Sequence, residues 1–248
     1  MKKTFAKLCL AFLLVAASPL RGQIASFNDI STWAGSGANQ SVLVVQWNDG
    51  KAPAALAWGF RWDGGASPVV SDMVQGVLHS NVGLFARGDS STGYGAAYYG
   101  FGYSSNLGAS FAVSGAQDQN GSPTAVAFAQ GFSDMNVDPA ATESPWTSLS
   151  AGPTTSADRY QEGWNDNGYW ELFSATGTSY PSIWTSSLLG SNEPLVNNGW
   201  FAFSITDSSF NSNIPGPAVG AFPEPSALPM VILAGVILYY ARKRLHSC

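Results

Sequence analysis

The two cysteines of this 248-residue chain lie close to its ends, at Cys9 and Cys248. The long stretch between them therefore offers no thiol for a disulfide bond, a thiolate metal site or a cysteine nucleophile. A fold built from this stretch must be stabilised by its apolar core alone. Hydrophobic residues make up 45% of the chain, and all nine tryptophans lie between positions 33 and 200, so material for such a core is ample. Charged residues are scarce and glycine is frequent, a composition that suits an extracellular β-rich fold.

The first 22 residues have the three-part order of a secretory signal peptide. Residues 1–7 are short and basic, residues 8–17 form an apolar run, and small or turn-forming residues follow up to Gly22. The apolar run is too short to span a bilayer comfortably. We therefore expect residues 1–22 to direct export and to be removed afterwards. A permanent N-terminal anchor is the alternative.

The C-terminal end of the chain contains three features in a fixed order. A short motif comes first, an apolar run at 227–241 follows, and three basic residues come next. The motif residues are Pro223, Glu224, Pro225 and Ser226, and the basic residues are Arg242, Lys243 and Arg244. A helix over the apolar run would cover about 22 Å, slightly less than a hydrocarbon core of ~30 Å. The basic residues should remain on the cytoplasmic side, which leaves the main domain outside.

This order resembles the PEP-CTERM sorting signal of Gram-negative bacteria. The resemblance implies recognition by an exosortase, a membrane-embedded, transpeptidase-like enzyme that cleaves near the Pro-Glu-Pro motif. The released protein would then pass to the cell surface or to an extracellular matrix. A single-pass anchor that is never cleaved is the alternative, and it places the main domain on the same side of the membrane.

The two ends leave a β-rich extracytoplasmic domain at 23–207 and a segment at 208–222 that is rich in Ser, Asn, Pro and Gly. We expect that segment to be a flexible spacer ahead of the anchor at 223–248. Residues 23–222 contain four basic and fifteen acidic residues, a formal net charge of −11. Such an acidic surface repels phosphate backbones, so we expect no nucleic-acid partner.

Hydrophobic patterning predicts a mainly β (α+β) domain with an antiparallel sheet and one packed helix, besides the C-terminal transmembrane helix. Two strands at 41–47 and 54–62 are expected to flank a turn at 48–50. The helix is expected to follow Ser67 as its N-cap. Its apolar face comprises Val70, Met73, Val74, Val77 and Leu78. Further strands are expected at 82–86, 94–103, 111–113, 124–129, 169–175, 182–186 and 199–205, whereas 133–163 has no usable pattern.

Two parts of the predicted domain resemble segments of other exported proteins. Residues 58–64, with the helix that follows them, resemble an element of PEP-CTERM ectodomains. Residues 168–172 together with 195–200 resemble the small β domain at the end of transcobalamin-type vitamin B12 binders, in which a Tyr-Trp strand precedes a turn-Gly strand. The second resemblance implies binding of a corrinoid or of another flat ligand.

The extracytoplasmic residues offer few groups for catalysis. Their single histidine is His79, which excludes an imidazole zinc cage and a Cys-His pair, and its place at the end of the predicted helix suits the helix dipole. A glycosidase needs only two carboxylates, but none of the candidates lies in a motif. Those candidates are Glu143, Glu162, Glu171 and Glu193. We therefore expect no enzymatic activity.

Calcium ligands and aromatic faces are the remaining candidates for binding. The Asn-Asp-Asn sequence at 165–167 and the pair Asp134 and Asp138 are the densest groups of oxygen ligands, but neither has EF-hand spacing and turn formation explains them as well. We expect no cofactor. Trp164 and Trp170 flank the 165–167 loop and are predicted to form an exposed pair for stacking. Packing in the core is the alternative for any tryptophan.

Two functions agree with these features. The first is a structural or adhesive protein of the cell surface or extracellular matrix, without catalysis. The second is an extracytoplasmic module that binds a polysaccharide or a corrinoid by Trp and Tyr stacking. The Gly-Tyr stretch at 93–103 fits either an adhesive strip or a packed strand relieved by glycine. Exposed, coplanar tryptophan faces in a groove would favour the binding module, and buried tryptophans would favour the structural role.

Overall fold

A computed structural model describes residues 22–80, 83–92, 95–106, 111–118, 122–128, 131–135, 147–148, 150–164 and 168–221. These residues form one α-helix and fourteen strands, which confirms the prediction of a mainly β fold with one helix. No helix among them has the length and hydrophobicity needed to cross a bilayer. The predicted transmembrane helix lies outside the described residues and stays a prediction.

The strands are numbered here in chain order. They are β1 (Trp33–Gly35), β2 (Asn39–Gln46), β3 (Ala55–Trp62), β4 (Leu84–Thr92), β5 (Gly95–Tyr103), β6 (Ala112–Gln117), β7 (Pro123–Ala127), β8 (Phe132–Asp134), β9 (Gly152–Pro153), β10 (Arg159–Glu162), β11 (Trp170–Thr176), β12 (Thr185–Ser186), β13 (Gly199–Ile205) and β14 (Ala218–Gly220). The helix, α1, is Val70–His79, and single 3-10 turns lie at Phe27–Asp29 and Gly190–Asn192.

Seven strands form the main sheet, in the order β1-β3-β2-β13-β11-β12, with β14 also beside β3. β2 and β3 pair antiparallel, from Asn39 opposite Trp62 to Gln46 opposite Ala55, which confirms the two strands predicted around the turn. β13 pairs parallel with β2, and both β1 and β14 pair parallel with β3. The main sheet is therefore mixed, which corrects the prediction of an antiparallel sheet. The parallel pairs arise because long stretches of chain separate these strands in the sequence.

Two smaller sheets are formed by β4–β10, and we call them the insert sheets. One has the order β10-β5-β4-β8 and the other the order β7-β6-β9. A Cβ atom on Gly100 of β5 would lie 2.5 Å from the Tyr160 hydroxyl, and one on Gly102 would lie 2.4 Å from the Phe111 ring. The Gly-Tyr stretch is therefore a packed strand in which glycine makes room for neighbouring rings.

Helix α1 begins two residues later than the sequence predicts. Its N-cap is Val69 rather than Ser67, and the Asp72 carboxylate accepts a hydrogen bond from the Val69 N–H at 2.9 Å. The Asp72 carboxylate thus satisfies a backbone N–H at the start of the helix. The sequence instead predicts that the Ser67 hydroxyl accepts from a backbone N–H in the first turn of a helix that begins two residues earlier. The predicted apolar face is confirmed, because all five of its residues are buried.

The main sheet is covered on both of its faces. One face packs against α1 and the insert sheets through side chains such as Leu43, Trp58 and Phe101. The other face packs against the N-terminal segment and the chain before β12 through Phe27 and Trp200, among others. Burial on both faces explains why β13 is apolar at almost every position instead of alternating, since all seven of its residues are buried.

The chain returns to the main sheet at the end of the described residues. β14 is buried, and the Ala221 N–H donates to the Ala57 carbonyl at 3.0 Å. Gln23 forms an isolated antiparallel bridge with Val219 on the other side of β14. The prediction of a flexible spacer at 208–222 is therefore wrong for residues 218–221, which belong to the domain.

Candidate functional site

Several residues that the sequence singled out lie outside the described residues. They are Pro223, Glu224, Pro225, Ser226, Arg242, Lys243 and Arg244 of the sorting segment, Glu143, and Asp138 and 165–167 of the calcium candidates. Asp134 lies at the end of β8, where its carboxylate accepts a hydrogen bond from the Ser90 hydroxyl. In the part of the chain that the structure describes, no three His, Cys, Asp or Glu side chains are grouped so that they could hold a metal ion.

The two tryptophans predicted to form an exposed pair do not do so. Trp170 is only 7% exposed, and its ring meets the edge of Phe101 at a centroid distance of 4.9 Å in the main core. Trp164 is partly buried against Tyr99, with the ring centroids 5.1 Å apart. The prediction is corrected because Trp170 points from β11 into the space between the main sheet and β5. Core packing, the alternative, holds for Trp170.

A buried charge network crosses the four-stranded insert sheet, from β4 to β10. Arg87 on β4 donates to Glu162 on β10 at 2.8 Å, and both side chains are almost fully buried. The same carboxylate accepts from the Tyr160 hydroxyl at 2.6 Å and from the Ser148 N–H at 2.9 Å. Desolvation and the neighbouring Glu162 raise the pKa of Tyr160 well above its ordinary value, so its hydroxyl stays a donor. The network uses both oxygens of Glu162, one of the carboxylates considered for hydrolysis.

A second ion pair fixes the turn between β2 and β3. Arg159 donates from Nε to Asp49 Oδ2 at 3.0 Å and from a terminal nitrogen to the other Asp49 oxygen, and it also donates to the Pro53 carbonyl. Its guanidinium lies over the Trp47 ring, 4.7 Å from the centroid. The turn is thus held against β10. Sequence reasoning missed this pair because its partners are 110 positions apart and 133–163 lacks a hydrophobic pattern.

These two networks bound a cleft of about 740 Å³, called the polar cleft for the charged and amide residues in its lining, although much of its surface is apolar. Its walls are the β2–β3 turn, strand β10, the residues Ser148 and Ala151, and the segment that follows β13. The side chains that supply its polar character are Asn48, Asp49, Lys51, Gln161, Glu162, Asp207 and Asn213. The volume lies within the range of ~300–1,000 Å³ that is usual for small-molecule sites. The cleft is therefore the candidate functional site of the described residues.

The polar groups of the cleft differ in how fully they are hydrogen bonded. Gln161 Oε1 is buried and has no hydrogen-bond partner. The Lys51 ammonium donates to the Asp158 carbonyl at 3.0 Å, which leaves two of its three N–H bonds for other acceptors. The pKa of Asp207 is lowered, chiefly because the side chain and backbone N–H of Asn211 donate to its carboxylate. Asp207 therefore stays ionised at neutral pH at the edge of the cleft.

Comparisons with known proteins identify no relative of the chain. No protein-family model, no curated protein and no solved structure matches the chain. The cleft, the two networks and the sequence motifs are the observations on which a functional proposal must be based.

Proposed function

We propose that this chain is an exported protein that displays its folded domain, which begins at residue 23 and extends to residue 221, at the cell surface or in the extracellular matrix. Its role there is structural or adhesive, without catalysis. Residues 1–22 act as a removable signal, and an exosortase sorts the protein through the segment at 223–248.

The observation that carries the proposal is the position of the two ends of the domain. Gln23, the first residue after the predicted signal, bridges Val219, and Ile24 donates to the Ala218 carbonyl at 2.9 Å. The Pro-Glu-Pro motif starts at Pro223, just after this strand. Removal of a leader before Gln23 and of a tail beyond Ala221 would thus leave every described strand of the main sheet in place.

The composition of the domain gives independent support. The described fold contains no cysteine and builds its main core from tryptophans, of which Trp47, Trp58 and Trp200 are 0% exposed. Such a core does not depend on the redox state of the compartment. The acidic surface fits a soluble domain that is held outside the cell and does not bind nucleic acid.

The topology can be tested in the full-length chain because the domain has no native thiol. Leu188 is 99% exposed, so Leu188→Cys places a reactive thiol on the domain surface when Cys9 and Cys248 are replaced by serine. We expect a membrane-impermeant maleimide to label this variant on spheroplasts. In the matched control, which keeps Cys248 as its single thiol, labelling of the uncleaved chain should require lysis of the inner membrane. Labelling of Leu188→Cys only after lysis would contradict export.

Sorting needs a separate experiment. We expect Glu224→Ala, or deletion of 242–248, to leave the precursor in the inner membrane, measured as the fraction of protein that reaches the surface or the medium. Unchanged release of mature protein from both variants would overturn sorting by an exosortase, although export itself would stand if the thiol labelling succeeds. Leu188→Ala, at a side chain that is 99% exposed, is the control for expression.

A further inference from the structure

We propose that the polar cleft binds a neutral, polyhydroxylated ligand the size of a mono- or disaccharide. This inference goes beyond display at the surface and does not depend on it. It also differs from the sequence prediction of stacking on Trp164 and Trp170, because the cleft lies between the β2–β3 turn, β10 and the segment after β13.

The cleft is preformed by hydrogen bonds that do not involve its open space. Asn48 Nδ2 donates to the Ile205 carbonyl at 2.8 Å, which joins the turn to the end of β13. Arg159 joins the same turn to β10 through Asp49. The Asn213 side chain also donates to the Ile205 carbonyl at 2.8 Å. A ligand would therefore meet fixed walls and would not have to order them.

One group in the cleft lacks the donor that a ligand could supply. Gln161 lies on the same face of β10 as Arg159, and its Oε1 is buried without a hydrogen-bond partner. Buried carbonyl oxygens in native proteins are almost always paired with a donor. A ligand hydroxyl would satisfy this acceptor, and the free N–H bonds of Lys51 and the carboxylate of Asp207 offer further donors and acceptors.

The charges of the cleft favour a neutral ligand. Three acidic residues line it, Asp49, Glu162 and Asp207, and the Glu162 side chain is itself fully buried. Arg159 neutralises the first and Arg87 the second, both through direct ion pairs. Lys51 lines the same cleft as Asp207, and its positive charge formally offsets the negative charge of Asp207. An anionic or cationic ligand would leave the charge of one side chain without a counter-charge. Ligand hydroxyl groups, in contrast, can donate hydrogen bonds to a carboxylate and accept them from an ammonium group.

The binding test uses the full-length chain in an amine-oxide detergent, because detergents with sugar headgroups would compete. Cellobiose, maltose, lactose and their monosaccharides are titrated, and binding is followed by saturation-transfer NMR and calorimetry. We expect at least one neutral sugar to bind with a Kd on the order of millimolar, typical of a few hydrogen bonds to a small ligand. Glucuronate should bind ~10-fold more weakly than the matching neutral sugar, or weaker still, because its charge is not compensated in the cleft.

Variants link the binding to the cleft. Gln161→Leu should raise the Kd by about tenfold, the effect of one hydrogen bond. Lys51→Met, at an exposed side chain that can be changed without disturbing the core, should also raise it. Leu188→Ala, which lies outside the cleft lining, is the control and should bind as the parent does. If no neutral sugar binds, or if Lys51→Met and Gln161→Leu bind as tightly as Leu188→Ala, the proposal is overturned.

Discussion

The main sheet and the insert sheets are stabilised in different ways, although they belong to one domain without disulfide bonds. The main sheet has mostly apolar strands and fully buried tryptophans such as Trp58 and Trp200, although Glu171 of β11 is also buried. The insert sheets contain buried charged side chains, among them Arg87 and Glu162, and glycines in the middle of β5. Apolar packing gains stability from area removed from water, whereas a buried ion pair mainly penalises any arrangement that separates its partners.

The difference suggests that the main sheet and the charge networks have different roles in the domain. The main sheet supplies most of the free energy of folding, and the charge networks fix the position of β10 and of the β2–β3 turn. That position in turn defines the cleft. Each of the following substitutions should affect one part more than the other, so that the comparison can be tested.

The largest effect is expected for Trp200→Ala in the main sheet. Trp200 is fully buried, meets Phe27 at a centroid distance of 4.8 Å and donates to the Gly177 carbonyl at 2.8 Å. We expect a loss of about 3–5 kcal/mol in the free energy of unfolding, measured by urea denaturation and circular dichroism. Leu188→Ala, at an exposed position, should change it by less than ~0.5 kcal/mol. A loss no larger than that of the control would show that the main sheet does not dominate stability.

A somewhat smaller effect, confined to the insert sheets, is expected for Arg87→Met. The variant leaves the buried Glu162 carboxylate without its cation, which should cost about 3 kcal/mol, at the lower end because Tyr160 and Ser148 still donate to it. Hydrogen exchange should increase in β4, β5 and β10 while the main sheet keeps its protection.

The double variant Arg87→Met with Glu162→Leu is the matched control. It removes both charges and should recover part of the loss, since replacing a whole buried pair costs less than breaking it. If the double variant is less stable than Arg87→Met, the apolar environment and not the ion pair determines the stability of the insert sheets. Equal exchange in both groups of sheets would contradict the division between them.

The smallest effect is expected at α1, which contacts both the main sheet and β4. Asp72→Ala removes the carboxylate that accepts from the Val69 N–H and should cost about 0.5–1 kcal/mol in the free energy of unfolding. Asp63→Ala, at an exposed position before the helix, removes the same charge without a cap and serves as the control. Equal losses in the two variants would assign the effect to net charge instead of capping.

The sequence predicts those elements whose residues carry a local signal. The strand at 199–205, the pair of strands around the turn at 48–50 and the apolar face of α1 are confirmed, because each depends on a run or a period of neighbouring residues. The parallel pairing of β13 with β2 could not be predicted, since it depends on contacts between distant parts of the chain. β14 could not be predicted either, because it has only three residues and lies in a segment rich in turn-forming residues.

The candidate site was even less accessible from the sequence. Its walls come from four separate segments, and its ion pairs join residues 75 and 110 positions apart. The orphan acceptor on Gln161 has no sequence signature. Trp170 could have been assigned to the core from the sequence, because alternate residues of a strand face the same side and Leu172, two positions later, is apolar.

The docking of β14 beside β3 has a mechanical consequence. A pull on the chain beyond Ala221, directed along the strand, would load the hydrogen bonds between β14 and β3 in shear, so that they share the force instead of breaking one after another. The bridge from Gln23 to Val219 adds resistance on the opposite edge of the strand. Tension on a tethered tail would thus be transmitted directly into the main sheet.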